Sequence, residues 1–380
     1  MARVAIVGGF GDLVVSLRGS LIRALRAAGH EVVVTTPRPS TAAATAVHEG
    51  LRAMGARFVE APLDRTGTSI FAEAAARSFY ADFMKGERPD AVLAYNPKPI
   101  FYAVPAASRA GVPRIAAMVT GLGYAFTSRE LRARVLALVA MRLYRRALPL
   151  ASSVIFQNSD DRAFFERAGL LGAARSVVQV PGPGVDLERF PFVPIDSPPR
   201  AVNYLFVGRL LRDKGVVEYA DAARALRQLR TDDERMRFRL AGFVDSNPSS
   251  VTAQDVARWQ EEGTIEYLGR LEDVRPALAE SSVFVLPSVG EGMPMAVLEA
   301  MATGRAVVTG DSPGCRETII DGESGYLVPP RSAPALALAM EQFLEDPGLV
   351  VRMGRAARER AERLFDARIV NAQVIAAMGL

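Results

Sequence analysis

SVFVLPSVGEGMPMAVLEAMATGRAVVTG, residues 282–310, consists of an apolar run, a glycine-containing turn, an apolar helix pattern and a second apolar run. SVFVLP has the Val/Leu density of a strand covered on both faces, and RAVVTG repeats that pattern after the helix. Pro294 stands at or near the first helical position, and Gly304 stands where the helix stops. Strand, helix and strand in this order form the unit from which helix-covered parallel sheets are built.

The same alternation runs outward in both directions. Strands are expected at 4–8, 31–36, 91–95, 114–119 and 153–158, then at 203–208, 237–242, 264–269, 282–287 and 305–310. PFVPIDSPPR (191–200) separates the two series, and its four prolines continue neither a helix nor a central strand, so it is expected to be a linker. At 380 residues the chain is too long for one ordinary core, and 49% hydrophobic residues suffice for two. The expected fold is α/β, with two facing Rossmann-like doubly wound domains at 1–195 and 196–365. A ligand cleft between the carboxyl ends of their strands follows from that arrangement. A closing helix at 366–380 has room to pack back on the first domain.

Composition removes several function classes. No stretch reaches the roughly 18 uncharged apolar residues of a spanning helix, because VLALVAM (135–141) is closed by Arg134 and Arg142. Cys315 is the only cysteine, and with two histidines it rules out an internal disulfide and zinc sites of the usual Cys/His kind. The start leads straight into a strand pattern with no room for a cleaved targeting segment, so a cytoplasmic location is expected. Residues 1–190 carry 24 Lys/Arg against 15 Asp/Glu, while the remainder carries 22 against 27. A basic first half suits a phosphate-bearing acceptor or an anionic membrane surface, although an arginine-rich genome produces the same bias. Only Lys85, Lys98 and Lys214 are lysines, which makes the lysine at 214 informative.

The turn and helix start also carry chemistry. The amides of Met295 and Ala296 have no partner one turn back, and with about half a positive charge from the helix dipole they form an anion site. Glu291 lies in the loop before that site, and Glu299 one to two turns inside the helix. Two carboxylates repel a bare phosphate, so the expected ligand carries phosphate and hydroxyls together. A nucleotide sugar has these parts: a diphosphate for the helix start, a ribose diol for one glutamate and sugar hydroxyls for the other. A helix glutamate is more often a solvated surface residue, but Glu299 is flanked by Val297, Leu298, Ala300 and Met301. In FVGRLLRDKGVVEYADAARAL (206–226) a buried strand ends at Gly208 and a helix begins after Gly215. Arg209 and Lys214 therefore occupy a loop at a strand's carboxyl end, where cations neutralise a departing diphosphate. Arg212 and Asp213 are expected to face solvent.

GRLLRDKG (208–215) followed by Glu291 and Glu299 resembles the retaining glycosyltransferases of the large GT-B family 4, and the likeness takes in most of the chain. The resemblance implies that Arg209 and Lys214 bind the donor diphosphate, Glu291 contacts the donor sugar and Glu299 holds the ribose. Gly208 and the backbone of Gly292, Met293, Pro294, Met295 and Ala296 then line the phosphates. SLRGSLIRALRAAGHEV (16–32), VTGLGYAFTS (119–128), VIFQNSDDRAFF (154–165), PGPGVDLERF (181–190), AGFVDSNPSS (241–250) and DSPGCRETIIDGESGYLVPPR (311–331) carry a narrower likeness. They are similar to transferases that add N-acetylhexosamine to undecaprenyl-diphosphate-linked sugars, including the class acting on a diacetylbacillosaminyl carrier.

Two departures from the family stand out. Many relatives have a histidine in the first-domain loop facing the donor, where this chain has Thr120-Gly121-Leu122-Gly123. His30 and His48 look structural, so no catalytic histidine is assigned. Pro183 also replaces an expected small polar residue.

GGFGDL (8–13) after the first strand lacks the third glycine of a dinucleotide fingerprint, since Val14 stands there, and no acidic residue ends the second strand. It is expected to be a flexible loop, with the amides of Gly9 and Gly11 available to the donor phosphate. Arg18 is expected either to bind the acceptor's lipid diphosphate or to be a surface helix residue. Thr120, Gly121 and Tyr124 are the remaining expected acceptor contacts. The helix expected at 128–148 gathers Arg134, Arg142, Arg145 and Arg146 within about 120° of its circumference. Such a helix suits the anionic inner leaflet of a membrane, although one packed on its own sheet with solvated arginines has the same periodicity.

The mechanism implied is front-face substitution with retention, in which no metal or other cofactor is expected. The expected partners are a UDP-sugar and a lipid-linked sugar, with no nucleic acid. The rival readings are a UDP-sugar epimerase, a non-catalytic nucleotide-sugar binder and a family 4 transferase with a soluble acceptor.

Overall fold

A computed structural model describes residues 1–380 apart from 65–68, 123–125, 127–130, 173–174, 231–233, 246 and 248. The chain forms two compact units, Met1–Pro183 with Ala367–Leu380, and Gly184–Asp366.

The first unit holds a parallel sheet of seven strands: β1 (Arg3–Val7), β2 (Glu31–Pro37), β3 (Arg57–Ala61), β4 (Ala91–Tyr95), β5 (Arg114–Val119), β6 (Ser153–Phe156) and β7 (Val177–Gln179). Their order is β3-β2-β1-β4-β5-β6-β7. Alternate residues of β1 enter different cores: Val4 and Ile6 one, Ala5 and Val7 the other. This is the period of two expected of a strand covered on both faces. Helices Val14–Ala27, Thr41–Ala53 and Ala367–Ala377 supply the first core with Leu21, Leu51 and Val374. Helices Ile70–Glu87, Pro97–Arg109 and Leu131–Ala147 supply the second with Tyr80, Ile100 and Tyr144.

The second unit holds six parallel strands around a continuous core: β8 (Val202–Arg209), β9 (Met236–Phe243), β10 (Glu266–Gly269), β11 (Val283–Leu286), β12 (Ala306–Gly310) and β13 (Gly325–Val328). Their order is β10-β9-β8-β11-β12-β13. β8 and β11 are neighbours, so the loops that follow them leave the same edge of the sheet.

The units divide ahead of the break expected at 195, because Val185 N already donates to Phe365 O (2.7 Å) and Phe190 lies in the core of the second unit. Residues 191–200 are correspondingly part of the second unit and not a free linker. Val193 N donates to Thr303 O (3.1 Å), and Arg305 Nη2 donates to Val193 O (2.5 Å). Among the described residues no helix is long and apolar enough to cross a membrane.

Candidate active site

β8 ends at Arg209, and a short turn, Arg212–Lys214, leads through Gly215 into helix Val216–Leu229. Beside it, β11 runs into the loop that carries Ser288 and Glu291. Two contacts fasten these loops together: Val289 N donates to Asp213 O (2.9 Å), and Ser288 Oγ donates to the same oxygen (3.0 Å). On the other side Glu291 N donates to Pro313 O (2.9 Å). Gly314 adopts φ 75°, and a Cβ there would fall 2.3 Å from Glu291 O, so only glycine allows this approach.

The result is a fixed pair: Lys214 Nζ lies 2.5 Å from Glu291 Oε1, both side chains about one-fifth exposed. Ser288 Oγ stands 3.0 Å from the same carboxylate oxygen. The lysine stem crosses Gly208, whose added Cβ would sit 3.4 Å from Lys214 Cδ. Arg209 takes a different partner, with Nη1 3.2 Å from Asp245 Oδ2. Asp245 also accepts from Asn247 N (2.9 Å), and Arg212 N donates to Ser249 O (2.8 Å). Arg212 Nη2 lies 3.9 Å from Asp255 and Asp213 3.6 Å from Arg331; Arg212 is exposed and Asp213 half-buried, and both are paired.

Helix Met295–Thr303 begins where the sequence places it. Val297 N and Leu298 N donate to Pro294 O, leaving the amides of Met295 and Ala296 without a hydrogen bond among the described residues. Met293 lies in the core, so from that residue only backbone is available to a ligand. Glu299 makes no side-chain hydrogen bond among the described residues. Burial pushes its carboxyl up to about 7, and nearby Arg189 partly opposes that rise. The structure thus joins Gly208, Lys214 and Glu291 directly, while neither Arg209 nor Glu299 hydrogen-bonds to that pair.

In the first unit Gly9 and Thr120 are joined through Asn96, a residue the motifs do not mark. Asn96 Oδ1 accepts from Gly9 N (3.2 Å) and its Nδ2 donates to Thr120 Oγ1 (2.8 Å), with the backbone held at φ 71°. With ψ 157° as well, Asn96 lies outside the αL region in a conformation that is strained for any residue but glycine, and its two side-chain hydrogen bonds hold it there. Gly121 follows at φ 118°, Gly11 packs beside Pro37 and Pro39, and Tyr124 lies outside the described residues. Arg18 is not the surface residue that a helix arginine is expected to be: it is buried against Tyr95 and Met118.

The sequence signals for these omissions differ. Arg18 falls on the stripe Val14, Arg18, Leu21, Ile22, Leu25 that faces the sheet, so helical periodicity marks it as buried. Asp245, Ser288 and Asn96 carry no such signal, since polar loop residues look alike whether solvated or engaged.

On helix Leu131–Ala147, Arg134, Arg142, Arg145 and Arg146 are exposed, and Tyr144 is buried. Val135, Leu138 and Val139 are 53%, 59% and 51% exposed among those arginines.

Residues 18–183 match the family described as Glycosyl transferase 4-like domain, and residues 201–346 match Glycosyl transferases group 1. Over 370 residues the chain is 26% identical to N,N'-diacetylbacillosaminyl-diphospho-undecaprenol alpha-1,3-N-acetylgalactosaminyltransferase of Campylobacter jejuni, covering 94% of each protein. Its fold is similar to that of sucrose-phosphate synthase from Thermosynechococcus elongatus, with a TM-score of 0.78 at 20% identity over 98% of this chain and 97% of that one. HepE from Anabaena, solved with UDP and glucose, gives 0.77 at 17% identity over 100% of both. These two structures bear on the fold alone. With each compact unit matched in chain order and one relative aligned over 94% of each chain, this chain belongs to the group 1 and 4-like glycosyltransferases of the GT-B fold.

Proposed function

We propose that this glycosyltransferase transfers a hexosamine, GalNAc or GlcNAc, from a UDP-sugar to a hydroxyl of an undecaprenyl-diphosphate-linked sugar, with retention and without a metal. The observation that carries the reading is the Lys214–Glu291 pair, with Arg209 on the same loop as Lys214, two helix amides without a hydrogen bond among the described residues, and the buried Glu299 carboxyl, which makes no side-chain hydrogen bond among them. Lys214 is neutralised by Glu291 and Arg209 by Asp245. A diphosphate at the helix start takes over both cations. Glu291 then turns to the sugar hydroxyls, and Glu299 accepts the ribose diol.

The bond from the sugar's anomeric carbon to the β-phosphate oxygen breaks as the acceptor oxygen bonds to the same face. The acceptor proton passes to the departing phosphate, so no protein nucleophile is consumed. Arg209, Lys214 and the two amides stabilise the charge on that phosphate. The name of the Campylobacter relative supports the lipid-linked acceptor. The exposed arginines and apolar residues of helix Leu131–Ala147 support peripheral attachment to the inner face of the cytoplasmic membrane.

The test is incubation of the protein with UDP-GalNAc or UDP-GlcNAc, with and without an undecaprenyl-diphosphate-linked sugar. Lipid-dependent transfer with an α-linked product is expected. An epimerised nucleotide sugar formed without lipid replaces the reading with an isomerase. Transfer confined to soluble sugars overturns the acceptor assignment.

A further inference from the structure

Arg18 is 4% exposed and is carried inward on an otherwise apolar helix stripe. Its Nη2 donates to Met118 Sδ at 3.1 Å, and its Nη1 to Leu17 O at 3.3 Å. The guanidinium carbon lies 4.5 Å from the centroid of the Tyr95 ring. Arg18 Nε and the Tyr95 hydroxyl have no hydrogen-bond partner among the described residues. That hydroxyl lies against Gly8, where an added Cβ would fall 2.2 Å from it. Among the described residues no carboxylate pairs with the arginine, and burial pushes its pKa below the ordinary value.

A thioether is a weak acceptor, and an aromatic face offsets only part of a cation's lost hydration. A full positive charge is therefore held inside the protein with little to compensate it. Replacing such a charge by an apolar group of similar volume is commonly stabilising, so its presence asks for a ligand that completes it. Its position agrees. Tyr95 ends β4, Met118 is next to last in β5 and Gly8 follows β1, so the cation sits at the carboxyl edge of the sheet, where such folds bind ligands.

We propose that Arg18 and the Tyr95 hydroxyl form a phosphoryl-anion subsite in the first unit, and that its occupant is the diphosphate of the lipid-linked acceptor. The inference rests on the transferase reading, which brings two diphosphates to one enzyme. The donor's diphosphate already has Arg209, Lys214 and a helix start in the second unit, whereas the acceptor's has no other buried cation assigned to it. Arg18 Nε and Tyr95 O–H supply two donors toward that anion. Access is by displacement of the 8–13 loop, whose Gly9 amide is fastened to Asn96 Oδ1 by a bond of 3.2 Å.

Arg18→Met and Tyr95→Phe test the proposal. Arg18→Met is expected to raise the Tm of the unliganded protein and to raise the acceptor KM about tenfold or more, the loss of one charge-assisted contact. Acceptor-independent hydrolysis of the UDP-sugar is expected to stay unchanged in both variants. Tyr95→Phe, which removes only a hydroxyl and should fold in any case, is expected to raise the acceptor KM severalfold. An unchanged acceptor KM in Tyr95→Phe and in folded Arg18→Met overturns the proposal, as does a lowered Tm in Arg18→Met with acceptor KM unmoved. Loss of hydrolysis with normal acceptor KM assigns the anion to the donor and overturns the choice of occupant.

If the wild type neither transfers nor hydrolyses, the transferase reading fails separately. The subsite is then read from the Tm shift that inorganic pyrophosphate gives an Arg209→Ala/Lys214→Ala protein. A shift lost on adding Arg18→Met supports the subsite, and no shift in the parent overturns it.

Discussion

Lys214 and Glu291 hold each other at 2.5 Å, and Arg209 and Asp245 at 3.2 Å, so the main charges of the candidate donor site cancel in pairs. Removing one partner leaves the other charge half-buried and uncompensated. Lys214→Ala is expected to lower kcat by about 10²–10³, corresponding to roughly 3–4 kcal/mol for a lost oxyanion-type donor. Asp245 holds one edge of the Arg209 guanidinium. Asp245→Ala is therefore expected to lower kcat/KM about tenfold, and Asp245→Asn, whose single oxygen serves Asn247 N while its amide nitrogen faces the Arg209 guanidinium, is expected to lose about as much. Glu299 makes the site pH-dependent. Its carboxyl ionises near 4.5 ordinarily and near 7 in the folded chain, so between these values the folded state binds the extra proton. Its contribution to stability therefore falls as pH rises from about 4.5 to 7 and levels off above. Binding has the opposite sign, since only the ionised form accepts both ribose hydroxyls. UDP affinity measured by calorimetry is expected to tighten about tenfold between pH 6 and 8, and to lose that dependence in Glu299→Gln. At this scale the sequence shows the Arg, Lys and Glu pattern, because charged residues at strand ends and helix starts have a chemical reason to be there. It does not show that the cations are already paired, since Asp245 comes from a third loop that is brought alongside by the pairing of β8 with β9.

Among the elements, the strands legible in the sequence are those with continuous apolar runs, as in β4 (AVLAY) and β11 (VFVL), where every residue is buried. β3, β7 and β13 are not legible, and all three lie at sheet edges. Their sequences, RFVEA, VVQ and GYLV, are short or mixed because one side of an edge strand has no neighbour. Prolines at 191–200 suggest a linker, but proline only forbids regular structure and does not prevent packing. Phe192 crosses Gly304, where the backbone has φ 84° and an added Cβ would fall 2.4 Å from the ring. Gly304→Ala is expected to destabilise the second unit by about 1–2 kcal/mol, from the positive φ and the clash together. Urea unfolding checks this through a lower midpoint at unchanged m-value.

For the molecule as a whole, the excess of Lys/Arg in residues 1–190 and the exposed arginine face of helix Leu131–Ala147 point to the same kind of partner. Four arginines on one face are visible from periodicity. The exposure of Val135, Leu138 and Val139 among them is not, because the same residues suit a helix packed on its sheet. Vesicles containing phosphatidylserine are expected to sediment the protein in low salt, and Arg142→Glu/Arg145→Glu is expected to weaken that binding severalfold with folding unchanged. In the proposed function membrane contact serves a lipid-linked acceptor, and the donor chemistry proposed for the second unit does not depend on it. That chemistry is tested most directly by calorimetric titration of UDP into the wild type and into folded Lys214→Ala at pH 8. Binding to the wild type with affinity reduced at least tenfold in Lys214→Ala is the predicted result, and equal affinity in the two proteins would contradict the account.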